Sequence, residues 1–213
     1  MDLGLKDKVA LVLASSKGLG FACAKGLYEE GANVIICSRS KENLTKAKEK
    51  IETTESINKK ARILPIVADL MDEDQITNLV EKTQNEFGRI DILVHNAGGP
   101  PSGHVESITK EDWVNSIDLN LLSFIKITDL VLPIMKQQKY GKIIAITSVS
   151  VKQPLDNLVL SNTTRLGVVG FAKTLANVYA KDNIFVNVVC PGPTLRQNER
   201  IDKQNSTRHR KIF

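Results

Sequence analysis

The alternation of short apolar runs with longer polar-and-apolar stretches constrains this chain most. Val9–Ala14, Asn33–Cys37, Arg62–Val67, Ile92–His95, Lys142–Thr147 and Phe185–Cys190 read as strands. Between them, Gly18–Glu30, Lys41–Glu55, Asp72–Phe87, Lys110–Gln137 and Leu158–Ala180 read as helices. Strands that are apolar almost throughout, rather than at every second position, are buried on both faces. Parallel neighbours need a long crossover, and each gap holds a helix. The expectation is one α/β domain over residues 1–194. Its core is a Rossmann-like, doubly wound parallel sheet of six strands in three layers, α/β/α. A chain of 213 residues suits a single core of that size.

Two helices carry more apolar residues than one stripe needs. Thr109 and Asp112 open the helix Lys110–Gln137 as a capping box. Beyond them Trp113, Val114, Ile117, Leu119, Leu121, Leu122, Phe124 and Ile125 spread over more than one face. The helix Leu158–Ala180 is similar. A second copy of the chain is expected to cover both, giving a homodimer or homotetramer.

Charge excludes some functions. The net charge is +5, and residues 195–213 carry +4 of it, from six bases and two acids. The body is nearly neutral, and no aromatic residue interleaves the bases, so nucleic acid is not the expected partner. That stretch is polar and aperiodic and reads as a basic, disordered tail. No apolar run approaches the ~20 residues that cross a bilayer, and the N-terminus carries acids where a leader peptide carries bases. A cytoplasmic location without membrane attachment is expected. Cys23, Cys37 and Cys190 form no paired motif and suit small buried hydrophobes, with no metal site.

The first strand runs into Ser15-Ser16-Lys17-Gly18-Leu19-Gly20 and then a helix. A strand, a glycine turn and a helix start aim free N–H groups and a partial positive charge at an anion. Comparable small-residue segments follow the other strands. These are His95-Asn96-Ala97-Gly98 after the fourth, Thr147-Ser148 after the fifth and Cys190-Pro191-Gly192 after the sixth. An open α/β sheet binds its ligand at these strand ends.

Taken together, these segments resemble the short-chain dehydrogenase/reductase family, over residues 5–194. The branches most similar are the 3-oxoacyl-carrier-protein reductases and the glucose dehydrogenases. The family's glycine motif falls on Leu13 to Gly20, with Leu13 and Ala14 in place of its Thr and first Gly. Its Asn-Ala-Gly is intact at 96–98, its adenine-contacting aspartate is matched by Asp69, and its Pro-Gly stands at 191–192. The resemblance implies a nicotinamide dinucleotide held by Ala14, Ser16, Lys17, Gly18, Leu19, Gly20, Ser38, Arg39, Asp69, Leu70, Asn96, Ala97, Gly98, Arg165, Pro191 and Gly192. Strand two ends in Ser38-Arg39 without the acid that grips a free ribose 2′-hydroxyl. With Lys17 beside it, Arg39 suits a 2′-phosphate, so NADP(H) is the expected cofactor.

The family's chemistry uses Ser, Tyr and Lys, with Asn on the preceding helix. Ser148 and Asn120 match. The Tyr-x-x-x-Lys segment falls on Ser161-Asn162-Thr163-Thr164-Arg165, so Ser161 stands for the tyrosine and Arg165 for the lysine. The expected catalytic set is Asn120, Ser148, Ser161 and Arg165, acting on a carbonyl/alcohol pair as in 3-oxoacyl reduction. The alternative is a weak or inactive nucleotide-binding relative, or a truncated product. Histidine is the side-chain type whose ordinary pKa lies nearest neutrality, and His95 and His104 are expected to be loop or surface residues. The family's usual C-terminal covering helix and seventh strand find no match after Thr194.

Overall fold

Val9, Ala10, Leu11 and Val12 are all buried, as a strand must be when it is covered on both faces. They form β1 (Val9–Val12) at the middle of a parallel sheet. Its companions are β2 (Asn33–Ser38), β3 (Ile63–Val67), β4 (Ile92–His95), β5 (Gly141–Ile146) and β6 (Ile184–Val189). The computed structural model describes residues 3–192, and the basic tail expected over residues 195–213 lies outside them. The six strands run in the order β3-β2-β1-β4-β5-β6. Ala10 pairs with Val34 on one side and Ile92 on the other.

Strand alternation divides the core between two faces. Val9 and Leu11 join Leu93, Ile143 and Ile184 beneath α3 (Glu73–Phe87), α5 (Ser123–Gln138) and α6 (Val159–Tyr179). Ala10 and Val12 join Ile36, Ile92 and Val94 beneath α1 (Gly18–Glu29) and α2 (Lys41–Glu52). The three expected layers are present. At the sheet margin Phe185 and Val189 are 44% and 49% exposed.

Local chemistry sets the helix ends. Ser40 and Asp72 accept from the N–H groups of Asn43 and Gln75 and start α2 and α3. Thr109 and Asp112 form the expected capping box at the head of α4 (Lys110–Ile117). Gly88 in the left-handed region ends α3. The helix α2 stops at Glu52, three residues short of expectation, because the Thr53 and Thr54 hydroxyls bond back to Lys50 O and Ile51 O.

One expectation is corrected. The stretch Lys110–Gln137 is not a single regular helix. Between α4 and α5 the residues Asp118–Leu122 form a wide π-turn, with the Ser123 N–H bonded to Asp118 O. Another boundary matters for the site. β1 ends at Val12 rather than Ala14, so Leu13 and Ala14 belong to the following turn.

Candidate active site

Strand order reverses between β1 and β4, and the turns after these strands flank the crevice this creates. Three bonds shape the turn after β1. Ser15 Oγ donates to Val12 O at 2.7 Å and accepts from the Cys37 N–H at 3.0 Å, while the Ser15 N–H donates to Cys37 O at 2.9 Å. Ser15 is fully buried and ties the turn to β2. Sequence reasoning gave it no role. The signal was a small polar residue at the end of an apolar run. From β4, Asn96 Nδ2 donates to Ala14 O at 3.2 Å and bridges the crevice.

The backbone of this turn leaves no room for larger residues. A Cβ on Gly20 would lie 2.5 Å from Ala14 O and 2.8 Å from Asn96 Nδ2. Gly18 sits at φ +62°. Lys17 is the residue before α1, and among the described residues no side chain caps that helix. The first N–H groups of α1 therefore keep the capacity to bind an anion. That cradle fits the pyrophosphate of a dinucleotide.

The other expected cofactor residues have these surroundings. Lys17, in the turn after β1, and Arg39, just after β2, are exposed. Among the described residues, neither side chain has an ion-pair or hydrogen-bond partner. Ser38 is bonded locally to Ser40. The Asp69 carboxylate accepts from the Met71 N–H at 3.1 Å. Ser16 is half-buried, Leu19 and Gly98 are exposed, and Ala97 is buried. Leu70 turns its side chain into the core instead of the crevice. Pro191 O accepts from the Val149 N–H at 2.8 Å, which joins Pro191-Gly192 to the loop carrying Ser148. Thr147 Oγ1 contacts Val189 O and the Cys190 thiol at 3.2 and 3.3 Å.

The catalytic candidates come from three elements. Ser148 follows β5, and its Oγ accepts from the Ser150 N–H at 3.1 Å, which leaves its own proton free to donate. Ser161 lies in the first turn of α6. Its Oγ accepts from Arg165 Nε at 3.1 Å, one helical turn away. Arg165 Nη1 also donates to Ile146 O at 3.2 Å. Arg165 is only 8% exposed, and among the described residues no carboxylate pairs with it. Burial lowers its pKa from the usual value, though a guanidinium stays charged at neutral pH. Asn120 occupies the wide turn and is buried. Its Nδ2 donates to Ser116 O at 3.2 Å, while Oδ1 has no partner among the described residues.

His95 corrects a second expectation. It is no loop or surface residue but the last residue of β4, 2% exposed, with its ring centroid 4.8 Å from that of Phe124 and tilted 45° to it. Burial, with the Arg165 charge adding to it, pushes its pKa down to about 3. It stays neutral near pH 7 and is no proton shuttle there. His104 is exposed, as expected. It lines a cleft of about 320 Å³ with Glu106, Leu155, Asp156, Val159 and Asn162. The cleft lies between the loops after β4 and β5, clasped by the Gly103 N–H bonded to Asn157 O at 2.9 Å.

A dinucleotide cradle at the reversal of a parallel sheet, with hydroxyls on an adjoining loop and helix, defines a nucleotide-dependent α/β enzyme. Residues 8–206 match the family description "short chain dehydrogenase", and the chain belongs to that family of oxidoreductases. It is 35% identical over 188 residues to a 3-oxoacyl-[acyl-carrier-protein] reductase of Thermotoga maritima, covering 88% of this chain and 74% of that one. It is also 35% identical to dehydrogenase/reductase SDR family member 4 of Caenorhabditis elegans, covering 88% and 71%. Among solved structures, L-sorbose reductase from Gluconobacter frateurii, complexed with NADPH and L-sorbose, superposes with a TM-score of 0.87. It is 31% identical, with 92% of this chain and 73% of that one covered. An NAD+-bound xylitol dehydrogenase gives a TM-score of 0.82 at 26% identity, with 88% and 71% covered. The family and these neighbours support a nicotinamide cofactor. No helix among the described residues is long and apolar enough to cross a membrane.

Proposed function

We propose that this chain is an NADP(H)-dependent oxidoreductase that interconverts a carbonyl and an alcohol, similar to 3-oxoacyl reductases. The observation that carries the cofactor choice is the pair Lys17 and Arg39. Lys17 precedes α1 and Arg39 follows β2, and both are exposed and without an ion-pair or hydrogen-bond partner among the described residues. A 2′-phosphate supplies the anion they lack, and Arg39 offers it a planar fork. Losing a charged hydrogen bond of this kind weakens binding by about tenfold or more. The test is fluorescence titration of NADPH and NADH into wild type and Arg39→Ala. NADPH is expected to bind more tightly than NADH, and Arg39→Ala is expected to erase most of the difference. Equal affinity of wild type for both would overturn the choice.

A nicotinamide held in the crevice would supply or accept the hydride. The protein's part is to hold the carbonyl and move a proton. The Ser148 hydroxyl, with a lone pair already bonded to the Ser150 N–H, keeps its proton to donate to a substrate oxygen. The Ser161 hydroxyl is backed in the same way by Arg165 and donates through water, because a serine is a ring shorter than the tyrosine of the family. Arg165 also holds the ribose, and Asn120 carries the proton relay onward. The cleft beside Val159 and Asn162 admits the substrate.

The second reading is a nucleotide-binding relative with weak or no chemistry. It rests on Ser161, since an alkyl hydroxyl is a far weaker acid than a phenol of pKa ~10. Ser161→Tyr combined with Arg165→Lys separates the two. A large gain in NADPH turnover from a wild type that binds NADPH without turnover selects the second reading. Measurable wild-type turnover selects the first.

The reading includes self-association through α4, α5 and α6, where Val114 and Ile117 of α4, Leu122 of the wide turn and Leu166 of α6 are exposed. Three free thiols suit a reducing cytoplasm.

A further inference from the structure

The wide turn Asp118–Leu122 carries Asn120, and the structure holds that turn by an identifiable set of bonds. In a regular α-helix the Ser123 N–H would reach Leu119 O. Here it reaches Asp118 O, one residue further back. Leu119 O takes the Ser123 hydroxyl instead, at 2.6 Å. A hydroxyl has a single proton, and this bond uses it. The 3.0 Å contact between Ser123 Oγ and His95 Nε2 therefore has His95 as its donor. The neutral ring then carries its proton on Nε2 and leaves Nδ1 as an acceptor, which is buried without a partner among the described residues. His95 is fixed by β4 and by the Phe124 ring.

We propose that His95 and Ser123 form a clip that holds the wide turn open and so positions Asn120. Both are positioning residues. The clip substitutes a side-chain proton for the backbone proton that Leu119 O loses, and it anchors that substitute to the sheet. Relaxation to a regular helix would rotate the residues on one side of the turn by about 100° relative to the other. Asn120 would then leave its place beside α6. The functional half of this inference rests on Asn120 belonging to the catalytic set.

Two structural readouts and one kinetic readout test it on the full chain. The ¹⁵N spectrum of His95 is expected to show the Nε2–H tautomer, unchanged between pH 5 and 8. Amide exchange over residues 118–123 is expected to rise about tenfold in Ser123→Ala, the loss of about one hydrogen bond. The sheet is expected to keep its protection, and Ser123→Thr, which keeps the hydroxyl, is expected to stay protected. An Nδ1–H tautomer, or unchanged exchange in Ser123→Ala, overturns the clip whatever the activity. With NADPH and ethyl acetoacetate, Ser123→Ala is expected to lower kcat about tenfold or more. The KM for NADPH is expected to hold, and Ser123→Thr to recover the rate. If Asn120→Ala leaves kcat intact, the role of Asn120 falls while exchange and tautomer still decide the clip. If Asn120→Ala lowers kcat but Ser123→Ala opens the turn without lowering it, the positioning claim is overturned.

Discussion

Ala14 carries a strain that its neighbours explain. It stands at φ +46°, in a region where a Cβ costs roughly 1–2 kcal/mol. Leu13 on one side bonds to Val94 O and Ser15 on the other to Cys37 O, so the turn cannot relax. Ala14→Gly removes the Cβ at the expense of a more flexible unfolded chain. The expected net gain is about 1 kcal/mol, read as a rise in Tm of about 2–4 °C. A fall in Tm would show that the turn carries no such strain. His95 yields a pH prediction. Its folded pKa of about 3 lies below the unfolded ~6.5, so between those values only the unfolded chain takes up a proton. Stability is then lost as pH falls through that window, at up to ~1.4 kcal/mol per unit from this group. Chemical denaturation at pH 4.5 and 6.5 is expected to show a smaller difference for His95→Asn than for wild type. An equal difference would place the proton uptake elsewhere. The glycine turn was legible in the sequence, but the burial of His95 was not. The strand bounds Ile92–His95 were read correctly, but apolar patterning does not say that a polar ring at a strand's last position is packed against Phe124.

The wide turn shows what periodicity conceals. Leu119, Leu121, Leu122, Phe124 and Ile125 read as a helix apolar on too many sides. Part of that breadth is a phase change of about one residue between α4 and α5, which moves the apolar stripe around the axis. The capping box at Thr109 was readable because its chemistry is local, within four residues. The π-turn depends on β4 through His95, 28 residues away in the chain, and no local pattern encodes it. The entry to β4 depends on Asp91. Its buried carboxylate accepts from Arg89 Nε and Nη2 at 2.8 and 2.7 Å and from the Val9 N–H at 2.9 Å. Asp91→Ala leaves a buried N–H unsatisfied and strands Arg89, which is partly exposed and can turn to water. The expected loss is about 2–3 kcal/mol, measured by urea denaturation. A loss under half of that would show the carboxylate is replaced by water. Asp72 and Asp112 behave oppositely to His95 in origin though not in sign. Hydrogen bonds to Gln75 and Thr109 hold their carboxyls below the usual range. Their contributions are present above the ordinary carboxylate pKa of ~4 and vanish as pH falls below it.

At the scale of the whole molecule, the alternation of strands and helices was enough to predict the parallel sheet. It could not say what lies against the helices, because an apolar helix face has the same composition whether a loop or another subunit covers it. The face of α5 offers a geometric test. Asp129, Pro133 and Lys136 are exposed at helical spacing and border, with Leu132 and Tyr179, a notch of about 380 Å³. A two-fold axis between Leu132 and Pro133 would bring Asp129 of one copy opposite Lys136 of the other, twice. A self-complementary arrangement is what an isologous interface requires. Reversing one charge makes two like-charge contacts, and reversing both restores two attractive ones. Asp129→Lys is therefore expected to weaken a dimer by about tenfold or more, and Asp129→Lys with Lys136→Asp to recover it. Sedimentation velocity across a concentration series reads the equilibrium directly. A wild type that stays monomeric, or a double variant no tighter than the single one, would place the partner on another face. The single reversal is exposed and leaves the core untouched, so an unchanged Tm at low concentration separates a lost interface from a lost fold.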